Sequence, residues 1–457
     1  MSGGTQRRGE GFHRQHLGIL AFGLLIRVAL VPWGAFEYDI GAMREWTRQL
    51  VSAPLAEFYA AEMEVPPDHL PGDLWLLWLL GRGARLVAPG TDFTSDWYMA
   101  ALKLVAVVAD LLIGVLLFTI ARGLAGSRRA LIVAAAFVLN PAVIFVSAVW
   151  GQWDSVSMAV ALAALLLLLR GRIAWALPVL AVAVLIKPQL ALLGPLFVVY
   201  AVRRVLPATA PHIGLRTWLG GLRRMLPALV VGGAGSVLAA LVLCLPFDVG
   251  LPGMPARWSI LDRLAFAADR YPLTTYNAFN LWALPIGTAE APDDSVEALF
   301  GFSASQIGLG LLLVAFAGAL VGTALIEDRE FAVLWGCLAA ALAVFLLPTR
   351  VHERYLFPAL VFVVLAWGLA PRLRWAALGL TLSGLANLYL VYAFWKPAIY
   401  PAILHTAWSV RGIALVNLAI FALVMVGGGR DIVKFVKSLA LSRRVAHQQE
   451  ISRRGSK

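Results

Sequence analysis

Apolar runs of about 20 residues recur along the chain between short polar or basic interruptions, and that is the length an α-helix needs to cross a ~30 Å hydrocarbon core. The pattern predicts about twelve spans, at residues 17–36, 99–121, 129–149, 155–170, 173–187, 189–202, 226–247, 304–326, 331–348, 355–370, 374–394 and 408–428. Barrel strands would instead alternate over ~9–11 residues. The expected class is therefore all-α: a polytopic membrane protein, one domain over 1–457. The first run is too long, and too poorly followed by a cleavage site, for a removable signal peptide, so it is expected to remain as an anchor. Spans four to six are short or interrupted by Pro178, Pro188 and Pro195. Membranes tolerate such breaks only where neighbouring helices or a cavity satisfy the freed carbonyls.

Two stretches between runs are long. In the first, 35–98, the segment Ala42 to Ala53 puts Ala42, Met43, Trp46 and Leu50 on one helical face and Arg44, Glu45, Arg48 and Gln49 on others, the pattern of a helix lying in the membrane interface. "LWLLWLL", Leu74 to Leu80, is too short to span and is expected to lie flat or dip, with its tryptophans at headgroup level. The second long loop is 248–303.

Composition agrees: 60% hydrophobic, 14% charged and a mean hydropathy of +0.80 exclude an ordinary soluble globule. The formal charge of +12 takes its meaning from where the basic residues lie. Placing the N-terminus in the cytoplasm puts most of the Lys and Arg on that side, in "RGLAGSRR", "PRLR", the loop carrying Arg203 to Arg224, and the tail 429–457. That is the positive-inside pattern, with both termini cytoplasmic. The basic tail then reads as an orientation signal and a contact for anionic membrane lipids, not as a nucleic-acid patch. The overall composition points to a plasma (inner) membrane. Cys244 and Cys337 both sit inside apolar runs, which argues for packing and against a disulfide or thiolate metal site. Gly318 and Gly322, with Gly232 and Gly233, suggest close helix packing.

With that orientation, the unusual polar segments all fall outside: "FEYDIGAMREW", "VPPDHLPGDLWLLWLLG", "NPAVIFVSAVWGQWDS", "IKPQ", "TTYNAFNLWALP" and "PTRVHERY". Asp39, at an apolar margin, suits a general base that touches a hydroxyl, or it caps a helix or pairs with Arg44. In "RVHER", Arg350, His352 and Arg354 offer N–H donors at a helix start, an arrangement suited to phosphate; the alternative is a local ion-pair knot around Glu353. Gln152 and Asp154, between and beside Trp150 and Trp153, suit a sugar, while the tryptophans taken singly read better as interfacial anchors. Lys187 either snorkels or makes a second phosphate contact. Asn277 and Asn280 either shape their loop or bind substrate hydroxyls. No HExxH, P-loop, GxSxG or Cys/His cluster occurs, so no metal or cofactor is expected.

Taken in order and on one side, these motifs resemble bacterial relatives of the second mannosyltransferase of GPI-anchor synthesis, within the GT-C glycosyltransferase superfamily, from about residue 36 to 360. The resemblance implies metal-independent transfer of a hexosyl, by family weighting mannosyl, residue from a polyprenyl-phosphate sugar donor to a glycolipid or glycan acceptor, with inversion, on the external face. It casts Asp39 as the base, with Asp68 and Asp73 as competitors or sugar contacts, and His352 and Arg354 as holders of the donor phosphate, helped by Arg350 and Lys187. Gln152 and Asp154 would orient a sugar. The paired adjacent carboxylates of some superfamily branches are missing, because Tyr38 separates Glu37 from Asp39, which weakens any link to the protein O-mannosyl branch. The competing class is a transporter or flippase of lipid-linked sugars; a third is a non-catalytic membrane scaffold.

Overall fold

The computed structural model describes residues 2–206, 214–394 and 406–455, with side chains over 11–206, 214–394 and 406–434. The basic side chains expected in the tail beyond 434, and those of Arg7 and Arg8, lie outside the described residues. The chain is mostly helical. Helix α1 (Ser2–Leu30) ends six residues before the predicted span does, and the chain turns through Gly34 into α2 (Glu37–Ser52). Asp39 therefore lies inside the first turn of α2, where the helix dipole favours acids, and not ahead of the amphipathic helix as the pattern suggested. The apolar Trp and Leu stretch belongs to a 17-residue helix, α3 (Pro71–Val87), opened by a proline at its first position. It does not simply lie on the surface: Leu74 and Leu77 are buried, and the Trp75 indole donates to the Leu243 carbonyl at 2.9 Å.

Next come α4 (Asp96–Ala125), α5 (Ser127–Val138), α6 (Pro141–Ile144), a π-helical segment Phe145–Trp150, α7 (Asp154–Leu169), α8 (Ile173–Ile186), α9 (Leu193–Arg204) and α10 (Leu215–Cys244). The loop after α10 holds α11 (Ile260–Asp269) and α12 (Ala283–Ile286). It also holds two small two-stranded sheets, Val249–Gly250 with Trp258–Ser259 and Glu297–Leu299 with Phe302–Ser303, which an all-helical reading did not anticipate. Helices α13 (Ala304–Leu325), α14 (Arg329–Leu346), α15 (Phe357–Leu369), α16 (Arg374–Phe394) and α17 (Ala407–Gly455) complete the order.

Six helices among the described residues are long and apolar enough to cross a membrane, and seven if the bent pair Ser127–Val138 and Pro141–Trp150 is one span. That is fewer than the twelve expected. Several predicted spans are cut short by their own prolines and turns: α7 and α8 have 16 and 14 residues, and α9 and α15 only 12 and 13. In α1 the apolar part is confined to the second half and contains Arg27. Helices α14 and α15 form the centre, with α14 83% buried over its most apolar window, whereas α10 and α13 are only 11% and 22% buried and turn large apolar side chains outward. Where α13 meets α14 a β-carbon at Gly322 would sit inside the Trp335 ring, the close packing its spacing suggested.

Basic punctuation gathers at one end of the bundle. There Arg203 caps the C-terminus of α13 by donating to the carbonyls of Thr323 and Ile326, Arg129 donates to Gly368 O at 3.1 Å, and Arg372 pairs with Asp431. The "RVHER", "WGQWD" and "IKPQ" segments lie at the other ends of the same helices. Deep between α1 and α4, Arg27 Nε donates to Asp110 at 2.8 Å, both side chains fully buried, and Ser147 of the π-segment donates to the same carboxylate at 2.6 Å.

Candidate active site

A cavity of about 600 Å³ opens at this second end, and local backbone chemistry puts each polar group on its wall. Pro188 ends α8 and forces Lys187 into an extended conformation, with φ −138° and ψ 101°, so the ammonium turns back to Asp154 at 3.6 Å. Helix α3 can approach this corner because Gly72 has no side chain: a β-carbon there would lie 2.5 Å from the Leu185 backbone. The π-segment ends at Gly151 with φ +93°, a conformation glycine adopts without strain, which delivers Trp150 and Gln152 to the cavity. Extra-residue turns of this kind occur often at functional sites.

Asp39 is the centre. Its Oδ2 accepts from the Trp150 indole at 2.7 Å and lies 3.6 Å from the Arg354 guanidinium. Arg354 also donates to Glu353 at 3.0 Å, and its Nε has no partner among the described residues. Burial opposes the Arg354 charge, but Asp39 and Glu353 more than offset it and hold the guanidinium above its ordinary value. Burial pushes the Glu353 carboxyl up, against the pull of Arg354. His352 is enclosed by Tyr276, Tyr271 and Tyr355, with ring centroids at 4.5, 5.1 and 5.4 Å. Burial first and the Arg354 charge second push its imidazole well below the usual value, so it presents a neutral ring at pH 7. Gln152 lines the cavity, and its buried Oε1 has no partner among the described residues. Arg354 Nε and Gln152 Oε1 are thus buried polar atoms left without a partner among the described residues beside the cavity.

The remaining candidates divide. Asp68, Lys187, Asn277 and Arg350 line the cavity; Asp73, Asp154 and Asn280 are buried behind it. The Arg350 guanidinium is tied to Asp294 at 2.8 Å and Asp269 at 2.9 Å, and with Thr349, which donates to the same Asp294, it fastens the 248–303 loop to the "HERY" turn. Both partners of this seam carry a residue at positive φ, Asn277 and Arg350, each at 64°. Asn280 accepts from the Trp282 amide at 3.1 Å and shapes the loop. Arg44 donates to the Ser95 carbonyl, so it is not the partner of Asp39. Trp150 and Trp153 are 1% exposed and so do not anchor at an interface; the Trp153 indole donates to Leu102 O at 2.9 Å.

Several residues escaped the sequence reading. His69 lines the cavity, bonded through Nδ1 to Asp73; the signal was the i, i+4 spacing within "DHLPGD". Tyr271 and Tyr276 wall the imidazole. Lys103 donates to Val31 O at 2.8 Å and to Gly34 O, holding the turn that leads to Asp39. Lys103, Arg27 and Asp110 were all visible as ionisable residues inside apolar runs, which mark special sites by default. Replacing Trp150 with phenylalanine, which keeps the ring but removes the N–H to Asp39, should lower turnover about tenfold with donor affinity held, measured by initial rates at saturating donor.

Six or seven helices long and apolar enough to cross a membrane, with a polar cavity at one end of the bundle, define a multi-pass membrane protein. The chain belongs to the ALG6, ALG8 glycosyltransferase family, whose model matches residues 93–416. The GT-C type of glycosyltransferase expected from the motifs is thereby shown, and it implies a lipid-linked sugar donor and a glycan acceptor. The matched stretch contains Gln152, Lys187, His352 and Arg354, while Asp39 and most of the first loop precede it. No curated protein matches the chain.

Proposed function

We propose that the chain transfers a hexosyl residue, mannose by the resemblance of its motifs, from a polyprenyl-phosphate donor to an acceptor hydroxyl, with inversion and on the outer face of the membrane. The contact that carries this reading is Arg354 between Asp39 and Glu353, beside His352: one cation reaches both a base and a space where a phosphate fits. Asp39 takes the proton from the acceptor hydroxyl as its oxygen attacks the anomeric carbon. The bond from that carbon to the phosphate oxygen breaks, and the charge gathering on the polyprenyl phosphate meets Arg354, with His352 and Lys187 beside it, in a site already arranged for it. Gln152 accepts from a sugar hydroxyl.

A second observation supports a lipid donor. A small apolar notch of about 20 Å³ lined by Leu190, Leu193, Ala340, Val344, Pro358 and Phe362 shares Gln189 and Tyr355 with the cavity, so the cavity wall on that side is apolar, as the first units of a prenyl chain require. In this reading the shorter apolar helices supply the remaining crossings, and the basic end of the bundle faces the cytoplasm. The test is incubation of the purified protein in nanodiscs with a panel of radiolabelled polyprenyl-phosphate sugars and a membrane glycolipid extract, with and without chelator. A labelled product that persists with chelator supports the reading and identifies the sugar; movement of intact donor across the bilayer without a new glycosidic bond overturns it in favour of a transporter.

A further inference from the structure

The second small sheet is a hairpin, Glu297–Leu299 paired with Phe302–Ser303, that stands directly ahead of α13 and packs against it. Its two turn residues, Phe300 and Gly301, both have positive φ, 52° and 81°. A turn of that kind suits Asn-Gly, and a bulky residue at its first position is strained. Phe300 nevertheless stands there, 86% exposed, and Val296, Leu299 and Phe302 beside it are exposed as well. In water both the strain and the four bare apolar side chains count against such a tip; in lipid only the strain does.

The length of α13 puts this tip at the membrane surface. Its 22 residues rise roughly 33 Å, little more than the ~30 Å hydrocarbon core. The whole helix is therefore needed for one crossing, and its N-cap, Ser303, lies at the boundary. Leu309, Leu313 and Val314 are exposed on α13, and the apolar tip extends that bare exterior beyond the helix end. The charges of the hairpin are occupied within the protein: Glu297 accepts from the Gly301 amide at 2.8 Å, Asp293 accepts from Ser295, and buried Asp294 accepts from Thr349 and Arg350. No lysine or arginine occurs in 290–303, so anionic lipid finds nothing there to attract it. At the base, the Asp294 amide donates to Pro272 O at 2.9 Å and the Ser305 amide donates to Asp294 O at 3.0 Å. These bonds join the hairpin and the first turn of α13 to the stretch that carries Tyr271 and Tyr276 of the cavity wall.

We propose that the hairpin tip, with Phe300 at its apex and Val296, Leu299 and Phe302 around it, is seated in the headgroup and acyl boundary of the leaflet on the cavity's side. Its partner is a phospholipid surface, held by apolar burial and without preference for headgroup charge. Through Asp294 the seated hairpin keeps the wall that carries Tyr271 and Tyr276 at headgroup level. The contact does not depend on the reaction proposed above.

The test uses the full chain in phosphatidylcholine nanodiscs, with an NBD fluorophore on a cysteine introduced by Phe300→Cys. Cys244 and Cys337 are both buried, so the label goes to the new thiol, and the wild-type protein serves as the labelling blank. Glu290→Cys, exposed on the same loop, is the water standard, and Leu313→Cys, exposed on α13, is the lipid standard. One quencher is iodide in the buffer; the other is phosphatidylcholine carrying a doxyl group near its headgroup. Iodide should quench the label at 300 at least about threefold less than the label at 290, because a residue in the headgroup and acyl boundary meets little aqueous quencher. The doxyl lipid should quench it as it quenches the label at 313, and adding phosphatidylglycerol to the disc should change neither result. Phe302→Cys, read in the same way, keeps the inference testable if the substitution at the apex alters the turn. Iodide quenching equal to that at 290 with no effect of the doxyl lipid would put the tip in water, where a protein partner could meet it, and overturns the proposal. A label shielded from both quenchers packs against protein and overturns it as well.

Discussion

Replacing Asp39 with asparagine should abolish sugar transfer and leave the protein folded. The amide has the same shape and still accepts the Trp150 indole hydrogen bond seen at 2.7 Å, so the seam between α2 and the π-segment is preserved. What is lost is the ability to take a proton from the acceptor. General-base catalysis contributes ~10²–10⁴-fold, so the rate should fall about a thousandfold, with thermal unfolding in detergent little changed. The measurement is initial-rate transfer with the donor identified by the panel experiment. Activity within tenfold of wild type would remove Asp39 from the base role and turn attention to Asp68, the other candidate carboxylate on the cavity wall. Asp73 is a weaker competitor, because it is buried behind His69 and already bonded to it.

The second large effect belongs to Arg354. Changing it to glutamine should lower transfer at least about a hundredfold, the usual cost of removing one donor from a preorganised anion site. It should also destabilise the protein by about 3 kcal/mol, because Glu353, 2% exposed, and Asp39 lose a shared cation. The two consequences can be separated. Glu353→Gln combined with Arg354→Gln removes the uncompensated carboxylate and should recover much of the lost melting temperature, while transfer stays low. A double variant that regained transfer would show Arg354 to be a structural counter-ion with no part in holding the donor.

The candidate site was legible as a group because its polar residues are concentrated in short interruptions of apolar sequence. Asp39, His352, Arg354, Gln152 and Lys187 all reach one cavity. What stayed hidden depended on which side chains find each other across the chain. Arg350 carries the same composition signal as Arg354, and only the fold shows Asp294 and Asp269 already occupying its guanidinium. Trp150 read as an interfacial anchor because its partner, Asp39, lies 111 residues away. His69 carries no hydrophobic-periodicity signal, and its i, i+4 spacing to Asp73 gains meaning only from the bond the fold makes between them. For the fold, hydrophobic periodicity located the helices but not their lengths, since Pro188, Gly151 and the turn at Gly34 cut apolar runs into pieces shorter than a membrane is thick.

The buried pair of Arg27 and Asp110 bears on how the chain is made. Arg27 sits in the last turn of α1 yet is fully buried, and a buried charge among apolar helices needs a partner. The partner that neutralises this arginine is 83 residues further on. The counter-charge of Arg27 exists only once α4 has emerged, so we expect α1 to settle into the bilayer together with α4. Nascent chains truncated just before Asp110 should leave α1 extractable by alkali, whereas chains that include all of α4 should hold it. The first helix is in this sense a late arrival, placed by a residue translated long after it.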